Sequence, residues 1–149
     1  MKQRMLFLAL FGLGCSLSCT AQKLKDNEVP VAVKLTMEKK FPGITKVKWS
    51  KEDKDFESEF MKDGKEMSAV FKASGTWKET ETEIKVNELP QLIKAYMAEH
   101  VKGKKIREAA IIHKQDGSVV YEAEAQNADY LFDAKGNLLK IEKEGEEKD

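Results

Sequence analysis

The chain has 149 residues, 35% of them charged and 41% hydrophobic, with 26 basic and 26 acidic side chains in balance. That length suits one compact domain, or two very small ones that share a core, and aromatic residues spread along it exclude long disorder. The even charge excludes the footprint of a nucleic-acid binder, which needs Lys and Arg gathered on one face.

The N-terminus reads as a leader. Lys2 and Arg4 precede the apolar run Met5 to Leu13, which is too short to cross a ~30 Å hydrocarbon core as a helix, a task for about 20 residues. Small residues follow and end in Cys19-Thr20-Ala21. This is the layout of a secretory signal peptide over 1–21, cleaved after Ala21. The alternative is a lipoprotein with a lipid anchor at Cys19 or Cys15. A lipobox wants Leu three residues ahead of the Cys, and Ser16 and Gly12 stand there instead. The lipoprotein route would tether the protein to a membrane; with cleavage after Ala21 the expected location is periplasmic or secreted, with no transmembrane segment after processing. Cleavage also removes both cysteines, and with them disulfides, thiol catalysis and cysteine metal sites.

After a linker over 22–27, the sequence reads as two tandem repeats, 28–86 and 87–144, and then a charged tail over 145–149. Val29-Pro30 and Leu89-Pro90 lie sixty residues apart, each proline suited to the first turn of a helix. Asn27 and Asn87 are the expected N-caps. The helices that follow share one apolar face, with Val33, Met37 and Phe41 matching Ile93, Met97 and Val101 at i, i+4, i+8. Gly43 and Gly103 end them. Farther on, Val70-Phe71-Lys72-Ala73-Ser74-Gly75 lines up with Leu131-Phe132-Asp133-Ala134-Lys135-Gly136, now at an offset of sixty-one.

Between helix and repeat end the apolar period drops to two. Val47-Trp49, Phe56-Ser58-Phe60 and Met67-Ala69-Phe71-Ala73 alternate in the first unit, and Val119 to Ala125 and Tyr130 to Ala134 in the second. Asp63-Gly64, Ser74-Gly75, Asp116-Gly117 and Gly136-Asn137 are turns. The last strands are Trp77 to Val86 and Leu138 to Lys143. The expected fold is α+β: two helix-plus-four-strand units forming antiparallel sheet, with the helices packed on one face.

Val-Pro, a helix ending in Phe41-Pro42-Gly43, then Val47-Lys48-Trp49 and the Phe71-x-x-x-Gly75 hairpin resemble the PepSY-like, beta-lactamase-inhibitor-like proteins of bacterial envelopes. The resemblance covers residues 28–144 and implies tandem helix-plus-sheet units. It also implies an inhibitor-like or peptidase-restraining role, and it brings no catalytic residue with it. The second unit departs from the pattern, with Val101-Lys102-Gly103 for Phe-Pro-Gly and Ala109 or Ala110 where a tryptophan would fall.

No enzyme chemistry is expected. His100 and His113 lack the i, i+4 pairing of a zinc helix and read as surface histidines. No serine lies in a nucleophile elbow, no calcium or phosphate loop is complete, and no cofactor is implied. The candidate partner-binding surface is Trp77 with the acidic row Glu79, Glu81 and Glu83, together with Phe56 and Tyr96. By strict alternation Trp77 shares its face with the three glutamates, opposite Thr80, Thr82 and Ile84, and stands exposed. The glutamates read as a solvated face, the arrangement that keeps strands from pairing edge to edge. The expected function is a non-enzymatic binding or inhibitor-like protein of the cell envelope whose partner is another envelope protein. The alternative is a small-ligand carrier using a cleft between sheet and helices.

Overall fold

The computed structural model describes residues 22–101, 103 and 105–143. The expected leader with its two cysteines and the tail over 145–149 lie outside the described residues. The described residues are α+β: nine antiparallel strands in one continuous sheet, with two helices. The order along the chain is β1 (Gln22–Leu24), α1 (Val31–Lys40), β2 (Val47–Glu52), β3 (Asp55–Lys62), β4 (Lys65–Lys72) and β5 (Trp77–Ile84). Then come α2 (Gln91–His100), β6 (Glu108–Lys114), β7 (Val119–Ala125), β8 (Ala128–Asp133) and β9 (Leu138–Lys143). Every strand pairs with its neighbours in sequence.

Residues 22–24 are not a linker. They form an edge strand on β2, with Leu24 opposite Trp49. Asn27 and Asn87 are not helix caps either. They sit inside short 3-10 turns, Asp26–Glu28 and Val86–Glu88, so the last strand of the first half stops at Ile84 rather than Val86. Each turn is closed by a glutamate that reaches back: the backbone N–H groups of Lys25 and Lys85 donate to Glu28 Oε2 and Glu88 Oε2, both at 2.7 Å. Pro30 and Pro90 then take the cap positions, where a missing N–H costs nothing.

Alternation and register decide the two faces. On one, α1 lays Val33, Met37 and Phe41 against Trp49, Phe56, Phe60, Ala69 and Phe71. Farther along, α2 lays Ile93, Met97 and Val101 against Ala109, Ala123, Ala125 and Phe132. Cross-strand partners carry this face unbroken through the middle of the sheet, from Ala69 to Thr80 to His113 and from Ile84 to Ala109 to Ala123. Both helices therefore lie on one side. Val33, Phe71, Ile93 and Phe132 are completely buried and fill the space beneath them.

One irregularity changes the reading of β5. Val70 pairs with Glu79 but Phe71 pairs with Trp77, so Lys78 is an extra residue, a β-bulge. A matching bulge in β9 pairs Leu131 with Lys140 and Phe132 with Leu138, skipping Leu139. The bulge puts Trp77 on the helix face, in phase with Thr80, Thr82 and Ile84, and leaves Glu79, Glu81 and Glu83 on the other. The expectation that Trp77 stands exposed among the glutamates is corrected. Its ring is half-buried against the core of α1, Lys40 Nζ sits 3.7 Å above it, and its indole N–H donates to Thr80 Oγ1 at 2.9 Å.

Candidate functional site

The six residues expected to form one surface fall on two. Phe56 is buried in the α1 core, and Trp77 packs on the edge of that core. Tyr96 lies on α2, stacked on His100 and edge-on to Phe132. All three aromatics belong to the helix side. Glu79, Glu81 and Glu83 belong to the open side, and only they remain candidates for a surface there.

The open face has a centre of its own. Val70 on β4, Ala110 and Ile112 on β6, Val120 on β7 and Leu131 on β8 are buried there, and the last three beyond Ala110 form a small apolar cluster. Beside them stand acids. Register places Glu59, Ser68, Glu81, Ile112 and Val120 in one cross-strand row, and Glu57, Val70, Glu79 and Lys114 in the next. Glu81 is only 4% exposed and Glu57 only 6%. The expectation of a solvated acidic row therefore fails at its middle member.

Burial and mutual repulsion set the electrostatics. Burial pushes the Glu57 carboxyl up to about 7, helped by the charge of Glu59 and opposed by the Ser68 and Ser50 hydroxyls. Burial lifts Glu122 on β7 to about 8, with Asp129 and Glu142 adding to it. Glu81 is raised well above the ordinary carboxylate range by burial, then by Glu122, Glu57, Glu79 and Asp129. Glu79 is raised less, because Lys114 Nζ lies 3.8 Å from its Oε2 and favours the charged form.

Two polar atoms in this centre are left over. Glu57 Oε2 accepts from Ser50 Oγ at 3.3 Å, but Glu57 Oε1 is buried without a hydrogen-bond partner. So is Ser68 Oγ, which stands near the carboxylate without reaching hydrogen-bond geometry. Among the described residues no ion pair reaches Glu57 or Glu81. Lys78 meets the buried Asp55 at 2.6 Å, and Arg107 meets Glu124 at 2.6 Å.

Among the described residues no group of His, Cys, Asp and Glu has the geometry to hold a metal ion. His100 and His113 are both exposed and lie on different elements.

The sequence reading missed Glu57, Ser68 and Glu122. A signal for them does exist: Val70 beside Phe71, Ile111 beside Ile112, Val119 beside Val120 and Leu131 beside Phe132 put apolar side chains on both phases of four strands. A sheet with one purely wet face would not carry them.

A family model described as beta-lactamase-inhibitor-like, PepSY-like matches residues 54–140, more than half of the sequence. The chain belongs to this family. Solved structures of similar fold support the architecture. A candidate periplasmic protein of Bacteroides eggerthii superimposes with TM-score 0.69 at 16% identity, covering 76% of this chain and 88% of that one. A DUF2874 family protein of Bacteroides uniformis gives 0.68 at 18% identity, over 75% and 87%. A BLIP-like protein of Bacteroides fragilis gives 0.63 at 24% identity, over 80% and 90%. At these identities the likeness is one of fold. No curated protein matches the chain. No helix among the described residues is long and apolar enough to cross a membrane.

Proposed function

We propose that this PepSY-like protein is an exported, non-enzymatic binding protein of the cell envelope that presents its open sheet face to another protein. The observation that carries the reading is the composition of that face. Apolar side chains occupy its centre and charged residues its rim, the division found in protein interfaces, and two deeply set carboxyls add polar recognition groups to that centre. A family named for inhibitor-like members supports it. The small-ligand alternative has less support, because Val33, Phe71, Ile93 and Phe132 fill the layer between helices and sheet.

Two further parts belong to the same reading. The halves derive from one duplicated helix-plus-four-strand unit, which accounts for paired bulges at Lys78 and Leu139. The leader is cleaved after Ala21, which would start the mature chain at Gln22, the first residue of β1. A photo-crosslinking amino acid tests the docking face in the native envelope. Placed at Lys48 or Lys72 on the open face it is expected to capture a partner, and at Leu35 or Leu92 on the helices it is not. Capture only from the helix positions overturns the reading.

A further inference from the structure

We propose that Glu57, Ser68 and Glu81 form a receptor for one cationic side chain, an arginine guanidinium or a lysine ammonium, which the partner protein inserts into the open face. The inference rests on the open face being the docking surface and adds the chemistry of what docks there. Three observations meet at one place. Glu57 Oε1 and the Ser68 hydroxyl lie near each other on adjacent strands, both buried and neither with a partner in hydrogen-bond geometry. Glu81, directly across from Ser68, is 4% exposed, and none of the chain's own bases pairs with it or with Glu57 among the described residues. The apolar cluster of Ile112, Val120 and Leu131 begins at the next strand, where the methylene stem of a long basic side chain would lie.

Buried acceptors left unmade are costly, and natural proteins leave few of them. A guanidinium offers five donors in a planar fork, enough to satisfy a carboxylate oxygen and a hydroxyl together. Basic and aromatic side chains inserted into water-shielded pockets are also the usual anchors of protein interfaces.

The groups around the receptor set a pH sign. Glu57 is faced by Ser50 and Glu52 from β2, by Glu59 on its own strand, and by Ser68 and Val70 from β4. Glu81 feels Glu57 on β3, Glu79 beside it, Glu122 on β7 and Asp129 on β8, with Ser68 and Ile112 as direct neighbours. Bases on this face are Lys114, beside Glu79, Lys48, across from Glu59, and Lys78 and Lys72, at Asp55. Burial and crowding raise these carboxyls, Glu57 to about 7, and an arriving cation favours their ionised form. Affinity is therefore expected to rise as pH is taken up through 7, with proton release on binding.

The test uses the whole mature protein and ethylguanidinium, ethylammonium and tetramethylammonium chlorides at equal ionic strength, followed by carboxyl-carbon NMR. The Glu57 and Glu81 signals are expected to move saturably with at least one of the first two cations. Tetramethylammonium, charged but without donors, is expected to leave them in place. Glu57→Gln and Glu81→Gln should each weaken binding at least fivefold, while Glu38→Gln on α1 leaves it unchanged. Both glutamines are close in shape to the protonated acids, and circular dichroism checks that the variants fold. An equal response to tetramethylammonium, or binding indifferent to both substitutions, overturns the proposal. Crosslinks from Lys48 and Lys72 that survive both substitutions overturn the receptor but leave the docking face standing. Crosslinks confined to the helix side overturn both.

Discussion

Trp77 sits directly across from Phe71, one residue out of step with the alternation that Glu79, Thr80, Glu81 and Thr82 keep. The extra residue between them, Lys78, turns the indole onto the helix side, where Thr80 accepts its N–H and Lys40 covers its ring. Trp77 is therefore a structural residue. Trp77→Ala should destabilise the protein by about 2–3 kcal/mol in urea unfolding, less than a fully buried tryptophan because the ring is half-covered. A loss below about 0.5 kcal/mol would mean the ring contributes no packing.

The bulge also aims Lys78 at Asp55 on the open face, at 2.6 Å, with the carboxylate almost wholly buried. Removing one partner leaves an uncompensated buried charge. Lys78→Met should cost about 3 kcal/mol, and the double variant Lys78→Met/Asp55→Asn should recover at least half of that. Additive losses in the double-mutant cycle would exclude the pairing.

Glycines of equal backbone shape should differ in cost. Gly75 and Gly64 both have positive φ, 86° and 76°. A Cβ on Gly75 would stand 2.6 Å from the backbone oxygen of Ala32 on α1, whereas one on Gly64 meets open space. Gly64→Ala should cost about 1 kcal/mol, the left-handed penalty alone. Gly75→Ala should cost about 3 kcal/mol, because the hairpin can no longer approach the helix. Equal unfolding midpoints for the two variants would refute the close approach.

The raised carboxyls make stability depend on pH with a definite sign. Glu57 goes from 4.5 to about 7 on folding and Glu122 to about 8, so between those values the folded state holds protons the unfolded chain has lost. Their contribution is complete below pH 4.5 and disappears as pH rises through 7 to 8. The displacement at Glu57 alone corresponds to about 3 kcal/mol. Urea midpoints should fall from pH 5 to pH 8.5, and Glu57→Gln should flatten that slope. A flat profile in the parent protein would show that the carboxyls are ionised and hydrated.

What the sequence made legible follows from local geometry. Val33, Met37 and Phe41 repeat at helical spacing and lie on α1 and its C-cap, packed against the sheet; Phe56, Ser58 and Phe60 alternate and lie on β3 facing the helix. Periodicity reports which way a side chain points only while the period holds. At Lys78 a single inserted residue reversed the phase for Trp77, and nothing in the composition of β5 marks it. Gln126 and Asn127 both take positive φ in the β7–β8 turn without a glycine to announce it. The burial of Glu57 and Glu81 was illegible for another reason. It depends on Ser68 and Ile112 arriving from neighbouring strands, and glutamate at every second position otherwise means water.

The strictly sequential order of the strands bears on how the sheet is made. Each strand finds its partner in the segment just before it, with a helix intervening only between β1 and β2 and between β5 and β6. Pairings so close along the chain close small loops and favour rapid folding for an all-antiparallel sheet. Assembly can then proceed strand by strand in the order of synthesis, each new strand covering the edge its predecessor exposed. A chain emerging N-terminus first from a narrow passage would never need to wait for its C-terminal end.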